Sequence, residues 1–136
     1  DYQGNLYYSQ EGDFFPVHMI KPNLSGDFAT YTSGFQPSSD DIMDSDLFIK
    51  AVDVAVDNSR NVYVVDEGES NIHVFNSNGN YFKSLGFIGD SIPVLNTPSA
   101  VAVDERGVLY VCNSGDSSIY RFKLSNSLDE DLKSED

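Results

Sequence analysis

Positions 47 residues apart in this chain carry the same amino acid far more often than unrelated segments would. Shifted by that distance, Val54-Ala55-Val56-Asp57 falls on Val101-Ala102-Val103-Asp104, Tyr63-Val64 on Tyr110-Val111, Gly68 on Gly115, Ser70 on Ser117, Ile72 on Ile119 and Phe75 on Phe122. Ten of the 25 positions from Ala51 to Phe75 are identical without a gap. A more divergent third copy opens the chain, where Asp1, Asn5, Leu6 and Tyr7 repeat the spacing of Asp57, Asn61, Val62 and Tyr63. Its later half continues in Gly26-Asp27-Phe28 and Ser33-Gly34-Phe35, parallel to Gly79-Asn80-Tyr81 and Leu85-Gly86-Phe87. A period of this size means stacked supersecondary units that bury their faces against one another.

Turn chemistry divides the clearest copy into four short segments rich in Val, Ile, Tyr and Phe. They are predicted as strand a at about 52–56, strand b at 61–65, strand c at 71–76 and strand d at 80–85. Ser77-Asn78-Gly79 joins the last two as a hairpin turn. Helical periodicity is absent. Four antiparallel strands per repeat describe a propeller blade, so the expected class is all-β, an incomplete and therefore open β-propeller.

The run Pro98, Val101-Ala102-Val103-Asp104, Gly107, Leu109-Tyr110-Val111, Asn113-Ser114-Gly115, Ile119, Phe122 resembles the NHL repeat, as does its partner from Val54 to Phe75 with Asp66 and Asn80. The resemblance runs to about Leu124 and implies a propeller, six-bladed when whole. It implies no single function, because similar propellers bind proteins, RNA or sugars, or act as lyases. Two departures stand out: Ala51 occupies the place of Pro98, and Asn113 and Gln10 occupy the place of Asp66.

In this phase Asp1 is the last residue of a strand a. The expected layout is a propeller fragment over residues 1–128, with a partial blade 1 at about 1–35, blade 2 at 50–86 and a partial blade 3 at 98–124. Residues 129–136 read as an acidic tail or the start of a further segment. Closed propellers use roughly four to eight blades. Fewer than three imply either that the remaining blades lie elsewhere in the same polypeptide or that copies associate through open edges. The absence of an initiator Met and a start inside a blade favour excision from a longer protein.

The formal charge of −14, from 22 acidic and 8 basic residues, argues against nucleic-acid backbones and anionic membranes as partners. No apolar run reaches the roughly 18 residues of a membrane span. Cys112, the only cysteine, excludes an intrachain disulfide; in a strand and with no His or basic residue nearby, it reads as a buried, inert thiol.

In an antiparallel meander the b–c and d–a loops emerge at one end, and the a–b and c–d turns at the other. The first set, about 10–16, 34–49, 66–71, 86–97 and 113–118, holds half of the acidic residues and no Lys or Arg. Arg60 and Arg106 fall at the opposite end. Such a face either focuses a field on a cationic partner or is a solvated surface that aids solubility. The candidate binding face is Glu11, Asp13, Asp66, Glu67, Glu69, Asn113 and Asp116. Asp66 and Asn113, ending equivalent strands, read first as acceptors for backbone N–H groups of the following loop.

No cofactor is expected, although Asp40, Asp41, Asp44 and Asp46 offer oxygen ligands suited to Ca²⁺ without the spacing of an EF-hand. His18 and His73 share a place on strand c of adjacent blades; Tyr120 breaks the series, and packed, satisfied histidines are the expected reading. Tyr7, Tyr63 and Tyr110 recur at one register of strand b, which points to packing with each hydroxyl on a fixed partner. Asn23-Leu24-Ser25 is a glycosylation sequon.

The expected function is a non-enzymatic binding or scaffold module acting outside the cytoplasm on a protein, peptide or glycan. The alternative is part of a propeller lyase or lactonase with a metal-assisted site on the central axis. Axial His, Glu and Asp drawn from several blades would mark the second.

Overall fold

The computed structural model describes residues 1–9, 17–22, 28–33, 49–77, 79–86 and 94–123. Three antiparallel sheets follow one another along the chain. Blade 1 holds β1 (Leu6–Ser9), β2 (Val17–Pro22) and β3 (Phe28–Ser33). Blade 2 holds β4 (Ala51–Val56), β5 (Val62–Asp66), β6 (Asn71–Phe75) and β7 (Tyr81–Leu85). Blade 3 holds β8 (Pro98–Val103), β9 (Val108–Asn113) and β10 (Ser118–Lys123). Each sheet is a meander in which neighbours in sequence are neighbours in space, the all-β, propeller-like arrangement anticipated from the repeat. All four strands expected in the clearest copy are present, each within a residue of its expected limits.

Burial shows how the blades stack. Every residue of β5 and β6 is buried, so blade 2 is covered on both faces. Side chains alternate between the faces of a strand. Val62, Val64 and Phe75 accordingly pack toward blade 1 against Val17 and Met19. Tyr63, Val65, Ile72 and Val74 pack toward blade 3 against Val101, Leu109 and Val111. In β9, by contrast, buried and half-buried residues alternate, because one face meets blade 2 and the other does not. Each fully buried Val, Ile or Phe contributes about 1.5–3 kcal/mol relative to exposure. The two apolar seams are thus the main force holding blade on blade.

Pairing between the first two strands of a blade slips by one residue at Ala51/Asp53 in blade 2 and at Pro98/Ala100 in blade 3. The bulge falls at the same point of the repeat in both. Pro98, which has no N–H to give to a ladder, is tolerated there at the start of β8. Asp53 sits in the blade 2 bulge and accepts the Val101 backbone N–H at 2.8 Å, which stitches β4 to β8 across the seam.

The a–b turns carry a repeated clasp. Asp57 accepts the backbone N–H groups of Ser59 and Asn61 on one oxygen, both at 2.9 Å; the other takes the Asn61 side-chain amide at 3.0 Å and the Tyr63 hydroxyl at 2.9 Å. Asp1 does the same with Gln3, Asn5 and Tyr7, each at 2.9–3.0 Å. Asp104 binds the N–H groups of Arg106 and Val108, and Tyr110 at 3.3 Å. Val108 supplies no side-chain amide, and the Arg106 guanidinium takes that place at 3.0 Å. The recurring tyrosines therefore have the fixed hydroxyl partner expected of them, the aspartate six residues upstream.

The third residue after each clasp aspartate has positive φ: Gly4 at 82°, Arg60 at 66° and Gly107 at 80°. A side chain in the left-handed region costs roughly 1–2 kcal/mol. In return, the Arg60 Nε reaches across the seam to donate to Asp1 Oδ2 at 2.9 Å, where the carboxylate is shielded from solvent.

Candidate functional site

The loops at the opposite end are tied together by the residues that end strand b. Asp66 Oδ2 accepts the Ile49 backbone N–H at 2.9 Å, and Asp66 Oδ1 accepts those of Lys50 at 2.9 Å and Glu69 at 3.2 Å. In blade 3 the Asn113 Oδ1 accepts the Asn96 N–H at 2.7 Å. The expectation of backbone N–H donors was therefore right in kind, but the main donors differ in place. Only Glu69 belongs to the following loop; the others lie 16–17 residues upstream, in the segment that enters strand a. These latches fasten the d–a and b–c loops to one another and confirm that both emerge at one end of the blades.

Close approach at this junction requires glycine. A Cβ on Gly68 would lie 2.4 Å from Ile49 Cγ2, and one on Gly115 would lie 2.5 Å from the Asn96 carbonyl oxygen.

Of the candidate face, Asp66 and Asn113 are buried, at 0% and 1% exposure, and act inside the latches rather than at the surface. Glu67 is half-buried and pairs with Lys50 at 2.8 Å. Lys50 lies one residue past the loop taken as free of basic groups, and its long side chain returns to that loop, so the face carries one cation more than the sequence suggested. Asp116 is exposed; the hydroxyl of Tyr120 and the N–H of Ser118 bind its carboxylate. The Tyr120 bond chiefly holds the Asp116 pKa below its ordinary value, while the same contact raises that of Tyr120. Glu11, Asp13, Asp40, Asp41, Asp44 and Asp46 lie outside the described residues.

Among the described residues, one polar cluster at this end was not assembled from the sequence. Asp66 pairs across β5 and β6 with Asn71, and His73 pairs across β6 and β7 with Ser84. Cross-strand partners share a face, so Asp66, Asn71, His73 and Ser84 all project from the side of blade 2 that packs on blade 1. His73, 2% exposed, places Nδ1 at 2.8 Å from Ser84 Oγ. Its Nε2 lies 3.3 Å from Asp66 Oδ2 and 3.7 Å from Glu69 Oε2. Ser84 Oγ in turn lies 3.0 Å from the Tyr81 hydroxyl. Burial works to raise the Asp66 pKa, but the bond to His73 and the three backbone donors outweigh it and leave that pKa below its ordinary value.

Asn71 completes the group. Its Nδ2 donates to Glu69 Oε2 at 3.2 Å, and its Oδ1 is buried without a hydrogen-bond partner. The signal for this cluster was present in the hairpin register, which sets residue 66 opposite 71 and residue 73 opposite 84.

His18 is packed as expected, 1% exposed, with its ring tilted on Tyr8 at 4.9 Å. Cys112 is a free thiol, half-buried rather than buried as expected, because it lies on the face of β9 that does not meet blade 2.

No family model matches the chain, and no curated protein matches it. Solved structures do. Among them is the crystal structure of a protein from Lactobacillus plantarum, 16% identical, with a TM-score of 0.52 over 89% of this chain. The chain spans 32% of the length of that protein, about a third. At this identity the likeness extends to the fold alone: successive antiparallel blades of a propeller-like protein.

Proposed function

We propose that the chain is a non-enzymatic binding module, a run of NHL-type propeller blades whose latched loop end engages a basic protein or peptide segment outside the cytoplasm. The observation that carries this reading is the fastening of those loops. Asp66 accepts the Glu69 N–H and, with Asn113, holds Ile49, Lys50 and Asn96, and the Lys50 and Asn96 carbonyls in turn accept the N–H groups of Glu67 and Gly115. Glu67, Glu69 and Asp116 therefore sit on loops fastened before any partner arrives. Preorganisation lowers the ordering cost of association. The net charge of −14 adds a long-range attraction for cationic segments.

The test is a titration with fluorescently labelled Lys/Arg-rich peptides, alongside neutral and acidic peptides, by anisotropy at low and physiological salt. Binding confined to the basic series, weakened by Glu67→Lys and Asp116→Lys and by added salt, is the expected result. Equal binding of all three series, or indifference to both charge reversals, would refute it.

A further inference from the structure

We propose that Asp66, Glu69 and His73 form a binding site for a divalent transition-metal ion, Zn²⁺ foremost, with the amide oxygen of Asn71 as a fourth donor.

The spacing of the three side chains fits such an ion. Two ligands each 2.0–2.1 Å from a tetrahedral centre stand roughly 3.3–3.4 Å apart. His73 Nε2 lies 3.3 Å from Asp66 Oδ2 and 3.7 Å from Glu69 Oε2. The three ligand atoms all fall within 4.8 Å of one another. A small inward rotation of Glu69, the half-buried member, closes the remaining gap.

Asn71 supplies a separate observation. Its side-chain oxygen is buried without a partner although its nitrogen touches Glu69, and an unsatisfied buried acceptor costs about 1–3 kcal/mol. Turning the amide by half a rotation carries Oδ1 to the side that now faces Glu69 and sets Nδ2 where Oδ1 now lies. An ion held at the cluster would take that oxygen as a ligand and neutralise the two carboxylates together.

The rest of the cluster behaves as the outer shell of a metal site does. Metal-bound histidines ordinarily give their other ring N–H to an oriented acceptor. Ser84 Oγ is at 2.8 Å from Nδ1, and Tyr81 orients it from 3.0 Å. Asp66 is fixed by three backbone donors, and Oδ2 keeps a lone pair beyond the one used by Ile49. An imidazole in the set selects zinc-like ions over Ca²⁺ and Mg²⁺, which favour oxygen ligands and larger coordination numbers.

Blade 3 is the internal contrast. At the equivalent positions it carries Asn113, Asp116 and Tyr120, and there the tyrosine hydroxyl binds the carboxylate directly. The buried atom left without a partner there is Asn113 Nδ2, an amide donor that cannot ligate an ion, and blade 3 keeps one carboxylate where blade 2 has two and an imidazole.

The test titrates the chelator-treated chain with Zn²⁺ alone by calorimetry and follows its melting temperature. The expected result is one Zn²⁺ per chain, a raised melting temperature and an intense tetrahedral visible band with Co²⁺. Affinity falls at least tenfold in Glu69→Gln and in His73→Gln. Glu69→Gln touches no backbone donor and keeps the fold, so the proposal remains testable if His73→Gln fails to fold. Absence of stoichiometric Zn²⁺ binding, undiminished affinity in Glu69→Gln, or equal affinity for Ca²⁺ would each overturn it.

Discussion

Replacing Tyr63 by Phe removes one oxygen and nothing else, and the structure says what that oxygen does. It donates to Asp57 Oδ2 at 2.9 Å from a side chain only 2% exposed. A hydrogen bond to a charged acceptor is worth roughly 1.5–3 kcal/mol net. The ring itself stays packed against blade 3, so no cavity term is added. The expected loss is therefore about 2 kcal/mol. For a chain of this length that corresponds to a drop of about 6–8 °C in melting temperature. Urea unfolding should show a lower midpoint with an unchanged slope, since the surface exposed on unfolding is the same. Tyr110→Phe is the built-in comparison. Its hydroxyl is at 3.3 Å from Asp104, the tyrosine is only half-buried, and Arg106 also binds that carboxylate. The shift there should be less than half that at Tyr63. Equal shifts, or a larger one at Tyr110, would refute the view that the clasp stabilises in proportion to its burial.

Arg60→Gly relieves the left-handed strain at φ 66° but deletes the link to Asp1; the two effects are each of order 1–2 kcal/mol. The expected net change in melting temperature is small, with a faster separation of blade 1 from blade 2 in hydrogen exchange. Gly115→Ala drives a Cβ to 2.5 Å from the Asn96 carbonyl oxygen, which also accepts the Gly115 N–H at 2.9 Å. The latch must open, and a loss of at least 2 kcal/mol in chemical denaturation is expected, in the range of the larger single-site effects. Asp104 has its pKa lowered chiefly by the Val108 N–H and then by Arg106. Its contribution is therefore present above the ordinary carboxylate pKa and lost as pH falls through the lower folded value. The stability gap between the native chain and Asp104→Asn should narrow across that acid window and stay constant near neutrality, as measured by melting at a series of pH values.

The blades were legible in the sequence because three signals agree at each boundary: β-branched runs, Asp/Asn/Gly turns and recurrence at 47 residues. The tyrosine register was legible for the same reason, since a residue repeated at blade period has a repeated job. The direction of the latch was not. Asp66 and Asn113 look like turn residues, and turn residues ordinarily bind forward; their main donors lie 16–17 residues back, close only after the blade has formed. His73 does share the register of His18, opposite Val64 where His18 stands opposite Tyr8, and it is packed and satisfied as expected; its partners were what the repeat could not supply. Equivalence along the repeat set it beside His18, whereas its chemistry comes from partners across the sheet, Asp66, Glu69 and Ser84. Similarity between copies finds scaffold residues; contacts unique to one copy have to be read from strand register.

The clasp between Asp57, Asn61 and Tyr63 closes entirely within one blade, while among the described residues the polar ties between blades include Arg60 to Asp1, Val101 to Asp53, Asn58 to Glu105 and Thr97 to Ser70. Under a pulling force the seams bear load before the clasps do. The chain would then give way in steps of one repeat; a 47-residue repeat unravelled throughout spans about 155–170 Å at 3.3–3.6 Å per residue, and a step that leaves the a–b hairpin closed releases less. A blade that has come away keeps its a–b hairpin staple, and so holds a folded nucleus ready to re-dock.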